Sequence, residues 1–474
     1  MSARLARVRA SMRDLHDKMT RPRAAWLAAP AFFAILGGCA TYAPAPLRPA
    51  ADAALAAPDL RALAAAAGQV RHPRLRPVDI DLAKPLSPEA LGLIAVAANP
   101  DLKAARAKAK VAEAQAFSAG LLPDPNITFG YDRILSGPDH TDPILGQLTL
   151  DLAALRDLAA TRAASKGAKA QARLDLAWQE WQVAGQARLI AARIAALDRI
   201  FAIDQQSRAN ADNLLDAVLA AASRGDVRAD EVQARRIAAA DAGDRARQAE
   251  RDLGAARQDL NRVLGLPPDA RLAIAAPPSP GAPASSDTLF AAARAQRLDL
   301  RALEAGYDSQ EAQTRKAILD QFPNLQLSVT RQVDSTGNQL VGPSITFTPP
   351  LWNRNRGGIA VAKATREQLR AEYAARLFAT RADIAALVEG LTIAGRQRAE
   401  AEGQVGPLRR IAQALSRASD RGDVARAAAE TARQGVADKE LALATLDQAI
   451  AEQSVALDIA VGGSWRSDAT GSQP

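Results

Sequence analysis

The sequence predicts a mainly α-helical chain that contributes strands to a membrane β-barrel, built as two tandem repeats, each a β-hairpin plus a long α-helical hairpin. Three observations carry this. First, the chain contains itself twice. NPDLKAA around Asp101 returns 198 residues later as RLDLRAL around Asp299, and Pro125-Asn126 returns at the same offset as Pro323-Asn324. Gly146 and Leu155 match Gly342 and Leu351, and Arg-Gly-Asp-Val stands at both 224–227 and 421–424. A repeat this long is two copies of one large unit, unlike the short period of a solenoid. Second, each copy switches its apolar period from 3.6 to 2 and back. Third, aromatics make up only 4% and the apolar residues are spread along charged stretches, as in long helices in coiled-coil-like contact.

The elements follow in order. Arg21 and Arg23 precede an apolar run of 13 residues, Ala24 to Leu36. That is the length of a signal-peptide core and too short to span a bilayer as a helix. It ends Leu36-Gly37-Gly38-Cys39, and Cys39 is the only cysteine. Small residues before a lone cysteine at this place resemble a bacterial lipobox. Residues 1–38 are therefore expected to be a lipoprotein signal peptide, with Cys39 carrying diacylglycerol and an N-acyl lipid as the mature N-terminus. Met19 would give a compact signal of 20 residues, so the start is Met1 or Met19.

Residues 39–86, rich in Pro and Ala, read as an extended lipid-anchored tether. The first repeat covers 87–270. It opens on Ser87-Pro88-Glu89, an N-cap, a first-position proline and a first-turn acid. This helix runs to about Leu121 with a break at Asn99-Pro100, and its counterpart runs from Asp287 to Asp320. A linker, 271–286, separates the second repeat, 287–463, and 464–474 is a C-terminal tail.

Period-2 segments come next. Ile127, Phe129 and Tyr131 alternate with Asn126, Thr128, Gly130 and Asp132, and Leu148, Leu150 and Leu152 with Gln147, Thr149 and Asp151. In the second copy Leu325, Leu327, Val329 and Val333 alternate with Asn324, Gln326, Ser328, Thr330 and Gln332, and Ile345 and Phe347 with Ser344, Thr346 and Thr348. Apolar-out, polar-in strands are the pattern of a membrane barrel with a watery lumen. This predicts a lipid-facing set of Ile127, Phe129, Tyr131, Leu148, Leu150, Leu327, Val329, Ile345 and Phe347. Arg331 falls on the apolar register, where it is tolerable only near an interface. Four strands cannot close a barrel, and open edges cannot sit in lipid. The chain must pool strands with copies of itself. Two copies give eight strands and a plugged barrel; three give twelve and an open pore, which the uncharged polar face favours.

From Ile144 to Leu266 there is no proline. The helical pattern from about Arg156 to Arg224 implies a helix of roughly 100 Å. It turns at Arg224-Gly225-Asp226 and returns through Asn261. The second copy repeats the hairpin, with a kink expected at Pro407 and a turn at Arg421-Gly422-Asp423. Gly supplies the turn conformation, and Asp226 and Asp423 are suited to capping the returning helices. A turn needs only Gly and a cap, so the shared Arg and Val call for a further reason.

Composition excludes several classes. The net charge of +8 falls to +3 once 1–38, with seven Lys/Arg and two Asp, is set aside. The rest is interleaved, as on solvated helix faces, which argues against a nucleic-acid partner. Met1, Met12 and Met19 are the only methionines, and His72 and His140 the only histidines after the signal. No intrachain disulfide, soft-metal site or other cofactor site follows, and no acid–base or nucleophile constellation marks an enzyme.

Tandem units of helix, strand pair and long helical hairpin behind a lipobox resemble the TolC family of outer-membrane efflux ducts over about residues 86–463. The specific marks are Asn99-Pro100-Asp101-Leu102 and Leu298-Asp299-Leu300, the strand openers Leu122-Pro123-Asp124-Pro125-Asn126 and Phe322-Pro323-Asn324, and the strand exit Pro350-Leu351-Trp352-Asn353-Arg354-Asn355-Arg356-Gly357. That exit, with Leu174-Asp175-Leu176-Ala177-Trp178, is similar to the heavy-metal efflux subgroup. The resemblance implies a homotrimer with a 12-stranded barrel in the outer membrane and a periplasmic α-helical tunnel. It implies passive conduction of small toxic solutes, drugs or heavy-metal cations. The implied partners are a periplasmic adaptor protein, an inner-membrane pump driven by protons, and outer-membrane lipid. On this reading the adaptor docks at the tips, Arg224, Gly225, Asp226 and Val227 and Arg421, Gly422, Asp423 and Val424. Two departures stand out. Ala153-Ala154-Leu155-Arg156-Asp157 replaces the usual Pro-Leu-Phe-type exit in copy one, and the acidic gate positions, counted from the turn, fall on Ala428 and Thr431, with Asp230, Glu231 and Glu430 the nearest carboxylates. The alternatives are a periplasmic adaptor lipoprotein, which has one hairpin where this chain has two, and the outer-membrane duct of a type I secretion system.

Overall fold

The computed structural model describes residues 42–48, 52, 55–56, 58–278 and 280–466. The signal peptide and Cys39 lie outside the described residues. The chain divides after Ala57, and the unit Pro58–Pro474 carries both repeats.

That unit opens with a correction to the expected extended tether. Residues 60–68 form helix α1 (Leu60–Gly68), capped by the Asp59 carboxylate, which accepts from Arg61 N–H. Leu63, Ala67, Val70, Leu75, Val78 and Ile80 then pack onto a core built around Leu91, Ile94, Ile194 and Leu264. Burying so much apolar surface outweighs the extended preference of the neighbouring prolines. The segment is also stitched down by polar groups. Leu86 forms a parallel bridge with Ile274 of the linker. The His72 Nδ1 accepts from Arg74 N–H (3.1 Å), so Nε2 carries the proton and donates to Ala177 O (2.8 Å). Burial lowers the His72 pKa and so favours this neutral ring. Arg74 Nη2 donates to Gln296 O (2.9 Å), so the same strap touches both repeats.

In the first repeat, Ser87 caps α2 (Pro88–Ala98) by accepting from Ala90 N–H, as the sequence predicts. Asn99 breaks the helix and starts α3 (Pro100–Gly120): its Oδ1 accepts from Leu102 N–H (3.0 Å) and its Nδ2 donates to Val263 O (2.9 Å). Strands β1 (Asn126–Tyr131) and β2 (Ile144–Asp151) follow. Helix α4 (Leu152–Ala222) has 71 residues, roughly 105 Å, and is capped by Asp151. It starts directly at Leu152, expected as the end of the strand, so copy one needs no exit loop. Helix α5 (Ala229–Leu264) returns and stops at Gly265, whose φ of 63° suits a left-handed cap.

The second repeat matches: α6 (Ser286–Gln296), α7 (Leu298–Leu319), β3 (Asn324–Val333), β4 (Gln339–Thr348), α8 (Arg356–Asp420) and α9 (Arg426–Val461), closed by Gly462. Here 349–355 form a loop, with Arg354 and Asn355 in the left-handed region. Helix α8 runs unbroken through Pro407.

Arg297 stands where the first repeat has Asn99, and it too reaches the end of the returning helix. Its guanidinium donates to Ala460 O (2.7 Å) and to both Asp299 oxygens (3.0 and 2.7 Å), and lies 4.7 Å from the Trp178 ring centroid. Both Arg297 and Asp299 are buried. Close helix approach supports the junction: a Cβ at Gly185 would fall 2.4 Å from Ile459, and one at Gly167 2.8 Å from Ser309. The helices form one wall in the order α3 and α5, then α4, then α7 and α9, then α8. None of the described helices is long and apolar enough to cross a membrane.

Candidate functional site: a two-faced sheet and two matched tips

Both hairpins join one antiparallel sheet, ordered β1-β2-β3-β4. Its register sorts the faces rung by rung. Ile127, Leu148, Val329 and Pro343 form one rung, and Leu150, Leu327 and Ile345 another. Between them, Asn126, Thr149, Ser328 and Ser344 form a polar rung, and Thr128, Gln147, Thr330 and Gly342 the next. The Ser328 and Ser344 hydroxyls meet at 2.7 Å. Neighbouring strands thus agree on which face is apolar, and the register brings the nine residues of the expected apolar set onto one face. That face is bare: Ile127 is 76% exposed, Phe129 75% and Ile345 64%. Arg331 lies on it between Gly146 and Val341, two residues from the loop end of β3. At the other end Leu122, Leu155, Phe322, Leu351 and Trp352 are exposed where strands meet helices. Among the described residues, nothing pairs with the outer edges of β1 and β4.

At the far end of the wall the two turns are near copies. Gly225 and Gly422 have φ of 80° and 82°. Asp226 N–H donates to Ala221 O and Asp423 N–H to Ala418 O, closing the helix ends identically. Arg224 Nε donates to Asp226 (3.0 Å) and Arg421 Nε to Asp423 (2.9 Å). This corrects the expected role of the aspartates. The residues at the helix starts are Arg228 and Ala425, without side-chain caps, and Asp226 and Asp423 instead bind the arginine two residues back. Both pairs are exposed, so they add little stability. Val227 and Val424 are half-buried.

Carboxylates near the tips are tied up locally. Glu430 pairs with Arg433 (3.2 Å), Asp230 with Arg228 (3.3 Å) and Glu231 with Arg235 (3.9 Å). Thr431 Oγ1 donates to Ala427 O (2.9 Å). Among the described residues no group of three His, Cys, Asp or Glu side chains could hold a metal ion.

With the two-faced sheet and paired helical hairpins in view, the likenesses are specific. Residues 289–463 match the outer membrane efflux protein family. That match lies within the second repeat, and the fold of both repeats is that of TolC-like outer-membrane channels. The Campylobacter jejuni CmeC outer membrane channel aligns with TM-score 0.67 and 16% identity, covering 80% of this chain and 86% of that one. VceC, an outer membrane protein of Vibrio cholerae, aligns with TM-score 0.65 and 17% identity over 80% and 97%. CusC, whose structures describe folding and transmembrane channel formation, aligns with TM-score 0.59 and 17% identity over 86% and 99%. No curated protein sequence is significantly similar to this chain.

The strap and the Arg297 junction were missed from sequence. Arg297 had a signal, since it takes the helix-break position of Asn99 and is followed two residues later by Asp299, as Asn99 is by Asp101.

Proposed function

We propose that the chain is the outer-membrane exit duct of a tripartite efflux system, three copies closing a 12-stranded barrel above a periplasmic helical tunnel. It is a passive conduit rather than an enzyme, and the inner-membrane pump decides the cargo. One observation carries the reading most: a sheet whose apolar face is bare, whose other face is hydroxyls and amides, and whose edges are unpaired. Such a sheet is stable only when copies complete it and lipid covers it. The ten residues of β3, at about 3.3 Å each and tilted by about 40°, cover roughly 25 Å, the height of an outer-membrane apolar band. Leu122, Phe322 and Trp352 then meet the periplasmic membrane interface. The polar rungs face the lumen. Deleting the gene should sensitise the host to the pump's substrates, and restoring it should reverse this; unchanged sensitivity, with the pump and adaptor intact, would exclude the role.

Cys39 is the lipid anchor on this reading. Mass spectrometry of the purified protein should find acylated Cys39 as the first residue. An unmodified Cys39, or another mature N-terminus, contradicts it.

The two tips are near-equivalent adaptor-docking sites, two per copy and six per trimer. Their matched geometry supports this, as does the exposure of both arginine–aspartate pairs, which a purely structural turn would not need twice. Arg224→Glu with Arg421→Glu should leave the trimer intact, while in-cell crosslinking to the adaptor and resistance both fall, most in the double variant. Normal crosslinking and efflux in a trimeric double variant would refute the docking role.

A further inference from the structure

The internal repeat makes the junction inside one chain a template for the junction between chains. Gly225 and Gly422, and the caps Gly265 and Gly462, are 197 residues apart. Burial follows the same offset: Ile194 and Leu197 correspond to Leu391 and Ala394, and Leu260 and Leu264 to Leu457 and Val461, all buried. Within the chain, the outgoing helix of repeat one (α4) packs on the returning helix of repeat two (α9). The outgoing helix of repeat two (α8) and the returning helix of repeat one (α5) lie at opposite ends of the wall. In a closed ring they are the two surfaces that would face each other across copies, a head-to-tail contact of the kind that closes rings.

The α4–α9 seam is held by ion pairs, and one of them has a complete counterpart. Arg188–Asp458 maps onto Ala385 and Asn261, and Arg193–Glu452 onto Gly390 and Ala255, so both are lost. Arg199–Asp447, at 2.8 Å, maps onto Arg396 and Glu250. The charges are kept, on helices at opposite ends of the wall. Both Arg396 and Glu250 are exposed, and among the described residues neither has an ion-pair partner. Apolar burial points the same way. Trp181, 3% exposed at this seam with its Nε1–H reaching Ile459 O, corresponds to Phe378, which is 78% exposed on α8.

We infer that Arg396 of one copy pairs with Glu250 of the next, and that Phe378 is buried in the same seam. The partner is a second copy of this chain. This inference rests on the ring of copies proposed above and adds its register, which the closed barrel alone does not set.

Arg396→Cys with Glu250→Cys, in the full chain in cells, tests it. The two positions lie on helices at opposite ends of one wall, so a link between them is expected to join two chains. A short bis-maleimide should therefore give covalent dimers and trimers in the double variant and in neither single variant. Arg396→Glu and Glu250→Arg provide a second readout. Each alone should lower the temperature at which the extracted oligomer dissociates, and their combination should restore it. If the extracted protein is trimeric but neither crosslinks nor responds to the swap, the seam is wrong while the duct stands. A monomer would remove the ring and the seam with it.

Discussion

Arg297→Ala should destabilise the chain by about 3–5 kcal/mol, the cost of leaving one member of a buried ion pair without its partner. Asp299 would lose both close hydrogen bonds and keep only Arg376, at 3.7 Å. Ala460 O, one of the last-turn carbonyls of α9, would lose its donor, and Trp178 its stacked cation. Arg297→Lys should fall between, since an ammonium keeps the charge but cannot span both carboxylate oxygens and the carbonyl in one plane. Denaturant unfolding of the detergent-extracted protein would measure this. A midpoint unchanged in Arg297→Ala would mean that the junction does not hold the repeats together.

The second large effect concerns the sheet. Leu148 lies on the middle rungs of the ten-residue β3–β4 ladder, opposite Val329. Leu148→Arg should therefore impair assembly by about 2–4 kcal/mol, the cost of arginine facing lipid near the midplane. Leu150→Arg, nearer the helices, should cost less because the penalty falls with distance from the midplane. Thr149→Arg, between them in sequence but on the opposite face, should assemble normally and alter ion conduction instead. Equal assembly defects in Leu148→Arg and Thr149→Arg would show that the faces have been assigned the wrong way or that no barrel forms.

The parts of the fold that were legible in sequence are those set by local chemistry. Ser87 reads as a cap because hydroxyl, proline and acid stand in cap order. The strands read as strands because a period of 2 over Ile127, Phe129 and Tyr131 has no helical interpretation. The turns were marked by glycines that needed φ near 80°. Even the face of the sheet was legible, since the register leaves each residue on the side its alternation assigned. What escaped depends on partners distant in sequence. Val70, Leu75, Val78 and Ile80 follow neither a period of 3.6 nor one of 2, so only the core that receives them reveals that the strap is folded down. Asp226 and Asp423 looked like caps because Asp after a turn usually is one; an arginine two residues earlier competes for the carboxylate and wins.

Native mass spectrometry of the protein released from detergent micelles counts the copies, because a four-stranded sheet with a bare apolar face and two open edges must be completed by copies of itself. Three chains are expected, each carrying the mass of its acyl groups, with no monomer stable outside detergent. A monomer that stays soluble and folded without detergent would contradict it.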